Sequence, residues 1–137
     1  YLQGGRMNLA VTTQLSVSVE NKRGALAELC TKLAEKAVNI LGLMVPEQPG
    51  MAPVRVVVSS IDVAKKIFDG MGLKYTEEQV LFVRLSDKPG QLGKLTRKLT
   101  DSGIDVLYAY GSILKGAGKA NVILGVSDLE TAAKLAK

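Results

Sequence analysis

The chain has 137 residues, 47% of them hydrophobic and 23% charged, which suits one ordinary globular domain or two very small ones. It contains no histidine and one cysteine, Cys30, which removes Cys/His metal sites, histidine-dependent nucleophilic sites and any intramolecular disulfide. The net charge of +5 comes from lysines and arginines spread along the chain, the pattern of a solvated surface, and no apolar run approaches the ~20 residues of a membrane-spanning helix.

Tyr1 to Arg6 reads as the remnant of a cleaved purification tag, with the native start expected at Met7. No secretory signal is visible, so the cytoplasm is the expected compartment. Leu15, Val17 and Val19 alternate with Ser16 and Ser18, which predicts a half-buried strand. After a turn at Gly24, Leu26, Leu29, Cys30 and Leu33 recur at the spacing of an amphipathic helix. A second strand is expected over Val38 to Val45, a loop turning at Pro49-Gly50, and a third strand over Val54 to Ser59. Asp62 is the expected N-cap of a helix over Val63 to Met71, with Gly72 at its end and a short strand over Lys74 to Thr76.

The same order then returns. Strands are expected over Val80 to Leu85, Ile104 to Leu114 and Ala120 to Val126, with a flexible hairpin tip at Lys115 to Lys119. Helices are expected over Gln91 to Ser102, closed by Gly103, and from an Asp128 cap through Leu135. No fourth strand is visible in this half, which leaves one sheet edge open, covered, or paired with another chain.

The order repeats because the sequence does. Leu15 to Met44 aligns without gaps onto Leu81 to Tyr110, with Gly24 and Gly90 separated by 66 residues. The match includes Leu15/Leu81, Val17/Val83, Lys22/Lys88, Leu26/Leu92, Leu29/Leu95, Leu33/Leu99 and Leu41/Leu107. The same offset is expected to continue, setting Val56 over Val122 and Asp62 over Asp128. The chain is a duplication, expected as modules over 7–79 and 80–137. Strand-helix-strand-strand-helix is the ferredoxin-like (βαββαβ) order of an α+β fold, antiparallel sheets with helices on one face.

Each copy carries a distinctive turn between first strand and first helix: Glu20-Asn21-Lys22-Arg23-Gly24-Ala25-Leu26 and Ser86-Asp87-Lys88-Pro89-Gly90-Gln91-Leu92. Glycine permits a sharp turn and a close approach, and the helix start beyond it presents unpaired N–H groups suited to a carboxylate. Asn21 or Asp87 supplies an oxygen for an ammonium. Asn39 and Asp105 begin the second strands, whose starts are expected near the same sheet end. Set against this, Asn21 and Asp87 are also natural helix caps, Asn39 and Asp105 natural solvated strand ends, and Gly24 and Gly90 turn formers. Lys22, Lys88 and Arg23 are ordinary surface charges by default. Cys30, Met44, Met51 and Met71 are expected in packing roles, as are Tyr108 and Tyr110, which share a strand face and are alternatively interface residues.

Asp87-Lys88-Pro89-Gly90-Gln91-Leu92, followed by Leu95, Leu99 and Ile104-Asp105-Val106, resembles the ACT-domain signature, with Asn21 to Ile40 a looser second example. The resemblance covers nearly all of the chain and is closest to small stand-alone tandem ACT proteins. It implies ferredoxin-like modules that bind amino acids between paired modules and regulate amino-acid metabolism. In serine-binding members the ligand lies around the Asn and Gly of this turn and an Asn opening the second strand. Those positions correspond to Asn21, Gly24 and Asn39, and to Asp87, Gly90 and Asp105. Arg23 replaces the usual proline, which makes the first turn less rigid or, alternatively, offers a guanidinium to a ligand carboxylate. The second copy has aspartate at both Asn positions, which favours an ammonium but repels a ligand carboxylate. The first copy is therefore the expected site.

The resemblance implies a non-catalytic regulatory protein: a homodimer with a free amino acid as effector, no cofactor, and a metabolic enzyme as candidate partner. Three alternatives remain open at this point. An RNA-binding module wants aromatics on its central strands, and Val56-Val57-Val58 and Val122-Ile123-Leu124 supply none. An acylphosphatase-like enzyme needs a phosphate-cradling loop of which the Arg23 turn is a faint echo. A subunit that binds only another protein needs no ligand.

Overall fold

The computed structural model describes residues 8–113 and 118–135, so Tyr1 to Met7 and the hairpin tip at Lys115 to Ala117 lie outside the described residues. The elements, in chain order, are β1 (Asn8–Glu20), α1 (Ala25–Glu35), β2 (Ile40–Met44), β3 (Met51–Val58) and α2 (Ile61–Gly70). They continue with β4 (Tyr75–Ser86), α3 (Gln91–Asp101), β5 (Val106–Ile113), β6 (Lys119–Val126) and α4 (Leu129–Lys134). They fall into two compact units. One comprises residues 13–78; the other comprises 79–137 together with the start of β1.

In the unit of residues 13–78 the strand order is β2-β3-β1-β4, the ferredoxin-like arrangement. The alternation that marks β1 puts Leu15, Val17 and Val19 on one face, where they join Val54, Val56 and Val58 of β3. The helix stripes close over them. Leu29 and Leu33 of α1 and Ala64 and Phe68 of α2 complete this core, and the Phe68 and Tyr75 rings stack tilted with centroids 5.8 Å apart. Each fully buried leucine or valine contributes roughly 1.5–3 kcal/mol. Cys30 sits half-buried on the same stripe.

The other unit repeats the plan as β5-β6-β4-β1. Leu81, Val83 and Leu85 pack with Leu95, Leu99, Ile104, Val122, Leu124 and Ala132. Its fourth strand is not missing. The opening residues of β1 supply it, and Leu9 packs against this core. The alternation that flagged β1 starts only at Leu15, because Ala10, Thr12 and Thr13 blur it upstream.

Three other expectations change. The short strand at Lys74 to Thr76 and the strand at Val80 to Leu85 are one continuous strand, β4. The repeat offset does not stay at 66. Leu15 faces Val56 on β3 and Leu81 faces Leu124 on β6, so the third strands match at a separation of 68. The hairpin of the second copy is longer by those two residues. Consequently the N-cap position of α2 is Ser60, which corresponds to Asp128 but makes no side-chain cap bond, and Asp62 lies inside the first turn. Asp128 does cap α4, its carboxylate accepting from the Thr131 amide at 3.1 Å and from the Thr131 hydroxyl at 2.6 Å. Those bonds hold its carboxyl below the usual aspartate value.

Candidate functional site

Both strand-to-helix turns are built the same way, from backbone upward. The amide of Lys22 donates to the Glu20 carbonyl at 2.9 Å, and Ala25 to Lys22 at 3.2 Å. In the second copy Lys88 donates to Ser86 at 2.9 Å and Gln91 to Lys88 at 3.3 Å. Gly24 and Gly90 stand at the N-cap positions with φ of 89° and 92°, a left-handed conformation that glycine adopts without strain. Neither helix has a side-chain cap, so the expected capping by Asn21 and Asp87 does not occur. The glycine has taken the cap position. Asn21 instead donates its Nδ2 to the Gln48 carbonyl at 2.8 Å, tying the turn to the hairpin loop.

The strand starts lie elsewhere. Glu20 at the end of β1 faces Met51, whereas Ile40 at the start of β2 faces Val58. Seven residues of β3 separate those points, about 23 Å at ~3.3 Å per residue. Asn39 is therefore at the opposite end of its sheet from the Asn21 to Leu26 turn. The second unit repeats this, with Ser86 facing Lys119 and Val106 facing Val126. Parallel running of first and second strands, through an antiparallel third, forces the separation. One free amino acid does not span it within a unit. The Asn39 and Asp105 backbones are engaged at their own end, each donating N–H at 2.9 Å to the hydroxyl of Ser59 or Ser127.

The turn of the second copy opens onto a cleft of about 370 Å³. Ser86, Asp87 and Lys88 form its rim with Gln91 and Leu92 of α3; Ala109 and Gly111 of β5 lie on the far side. Pro89 and Gly90 shape the turn between these residues without lining the cleft. Ser86 is 8% exposed, and its hydroxyl has no hydrogen-bond partner among the described residues. A buried unpaired hydroxyl is costly, so it draws attention to whatever the cleft holds. The helix α3 start adds N–H groups with no intrahelical acceptor.

The first copy differs at the same places. Glu20 stands where the second has Ser86, and its carboxylate holds Lys22 at 2.9 Å. That bond raises the Lys22 pKa above its usual value. Lys88 has no such ion pair among the described residues. Leu43 and Val45 occupy the positions of Ala109 and Gly111. A cleft of about 360 Å³ touches Lys22 and Ala25, but it faces Met71 and Leu73 instead of β2. Asn21, Arg23, Gly24 and Leu26 are outside its lining.

Sequence reasoning missed Ser86, Ala109 and Gly111. The signal was present in the repeat, at positions where the copies differ in size or charge, not where they agree. Among the described residues no cluster of acidic or cysteine side chains is arranged to hold a metal, and no helix is long and apolar enough to cross a membrane.

A family model described as an ACT domain pair matches residues 10–134. Among solved structures, a Bacteroides thetaiotaomicron protein superposes with a TM-score of 0.85 at 27% identity, over 93% of this chain and 87% of that one. The regulatory subunit of aspartate kinase from Thermus thermophilus, in its ligand-free form, aligns at TM-score 0.68 and 12% identity, over 95% and 93% of the two chains. Escherichia coli aspartokinase III, solved with lysine and aspartate, aligns at TM-score 0.53 and 15% identity, over 94% of this chain and 31% of that one. At such identities the two aspartate kinase structures attest the fold. No curated protein sequence is significantly similar to the chain.

Proposed function

The chain belongs to the ACT domain pair family, and from that premise we propose that it is a regulatory protein whose effector is a free amino acid. The observation that carries this is the duplicated turn. In each copy a left-handed glycine delivers the chain into a helix whose second and third amides have no intrahelical acceptor and can meet a carboxylate, next to a side-chain oxygen suited to an ammonium. Aspartate kinase regulatory subunits share the fold, which supports a regulatory role in amino-acid metabolism. Regulation here means a coupling free energy: the effector binds one arrangement of the protein and its partner enzyme better than another.

A second copy of the chain is the proposed partner in a homodimer. β2 is an edge strand of one unit and β5 of the other. Leu41 and Leu107, at matching positions on those edges, are exposed. Exposed edge strands invite pairing. Light scattering during gel filtration that gives the monomer mass at micromolar concentration contradicts the dimer.

A thermal-shift screen against the twenty amino acids, with nucleotides as controls, tests the effector. Ligand at 100 times its dissociation constant adds about 2.7 kcal/mol, several degrees for a protein of this size. The expected result is a rise with one amino acid or one chemical group of them and none with nucleotides. A folded sample that responds to no amino acid at millimolar concentration contradicts the proposal.

A further inference from the structure

The geometry points to the second copy as the binding site, and to amino acids with short aliphatic side chains as its ligands. This deepens the amino-acid reading above and rests on it. Five differences between the copies converge on the one cleft beside α3. Pro89 replaces Arg23, so the second turn is the more rigid. Asp87 replaces Asn21 and gives an ammonium a full negative charge. Ser86 replaces Glu20, which removes the carboxylate that neutralises Lys22 and leaves Lys88 available to an anion. Ala109 and Gly111 replace Leu43 and Val45, and their small size leaves the volume open. The like-charge objection to Asp105 disappears, because Asp105 lies at the far end of the sheet from Asp87.

The buried Ser86 hydroxyl is the independent sign of a ligand. Ser86 lines the cleft and is more than nine-tenths buried, and its hydroxyl has no partner among the described residues. A bound carboxylate or ammonium satisfies it. The carboxylate belongs at the start of α3, near Lys88, and the ammonium beside Asp87. The remaining walls are Leu85, Leu92, Tyr110, Ala120 and Val122, a mainly apolar surface that suits an aliphatic side chain and strands a charged one. Gly111 cannot be enlarged freely, since a Cβ there meets the Asn121 carbonyl. The open volume is thus built into the backbone pairing.

The test is calorimetric titration of the full chain with L-valine, L-leucine and L-isoleucine, and with L-aspartate and L-lysine for comparison. The expected result is binding of at least one aliphatic amino acid, tenfold or more tighter than either charged one. Ala109→Leu, which restores the bulk of the first copy, weakens it at least tenfold, as does Lys88→Glu on the exposed turn should Ala109→Leu not fold. Ser86→Ala weakens binding while leaving the ligand-free melting temperature unchanged or higher, which loss of a merely structural hydroxyl bond does not do. Leu43→Ala in the first copy leaves affinity unchanged. Two results overturn the inference while sparing the amino-acid function. One is tighter binding of a charged amino acid; the other is aliphatic binding insensitive to Ala109→Leu and Lys88→Glu. No response to any amino acid overturns both.

Discussion

At the scale of single residues, the duplication supplies its own controls. Ala37 has a φ of 56°, in the left-handed region, where the matching residue of the second copy is Gly103 at 75°. An alanine held there is strained by roughly 1–2 kcal/mol, partly offset because glycine loses more entropy on folding. Ala37→Gly is therefore expected to raise stability by up to about 1 kcal/mol, and Gly103→Ala to lower it by a similar amount. Urea unfolding of the two variants checks the pair of signs. Asp128 offers a pH test. Its folded pKa is depressed by the bonds from Thr131, so its stabilisation is full above the ordinary aspartate pKa and is lost as pH falls through the folded value. The stability gap between the protein and Asp128→Ala is expected to be flat near neutrality and to narrow below about pH 4. A gap that widens on acidification contradicts the assignment.

At the scale of elements, neighbouring strands keep their packing while exchanging its parts. On β5 and β6, Tyr108 faces Gly125, and the ring lies where a Cβ of that glycine would stand. At the matching place on β2 and β3, Gly42 faces Val57. Gly125→Val alone is expected to cost about 1–3 kcal/mol by overpacking. Adding Tyr108→Gly, which copies the first unit, recovers part of it; a double-mutant cycle with no coupling contradicts the compensation. The elements themselves were largely legible, because Leu15/Val17/Val19 and Leu29/Leu33 carry clean periods of two and 3.6. What was not legible depended on pairing. The two-residue lengthening of the β5–β6 hairpin is invisible in a gapless alignment, since Val122-Ile123-Leu124 matches Val56-Val57-Val58 better than its true register, which sets Ile123 against Arg55. The capping role given to Asp62 failed for that reason. So did the placing of Asn39 beside the Asn21 turn, which requires knowing that β1 and β2 run in the same direction.

At the scale of the whole molecule, stability is distributed by strands that serve beyond their own repeat. The start of β1 completes the unit of residues 79–137, with Leu9 against its core. Leu9→Asp is expected to lower hydrogen-exchange protection in β4, β6 and α3 more than in β2 and α1, and equal losses throughout contradict that placement. The turn motif identified the family from sequence, but not which copy's turn opens onto a cleft against its own second strand. That follows from Ala109, Gly111 and Ser86, whose meaning appears only when β5, β6 and the start of α3 are set side by side.

The measurement that tests the account most directly is an amide-resolved NMR titration of the full chain with each of the twenty amino acids. The prediction is saturable shifts confined to Ser86 through Gln91 and the facing part of β5, produced by aliphatic amino acids, with the Asn21 to Leu26 amides unmoved. Spectra that stay unchanged with every amino acid contradict the account at its centre.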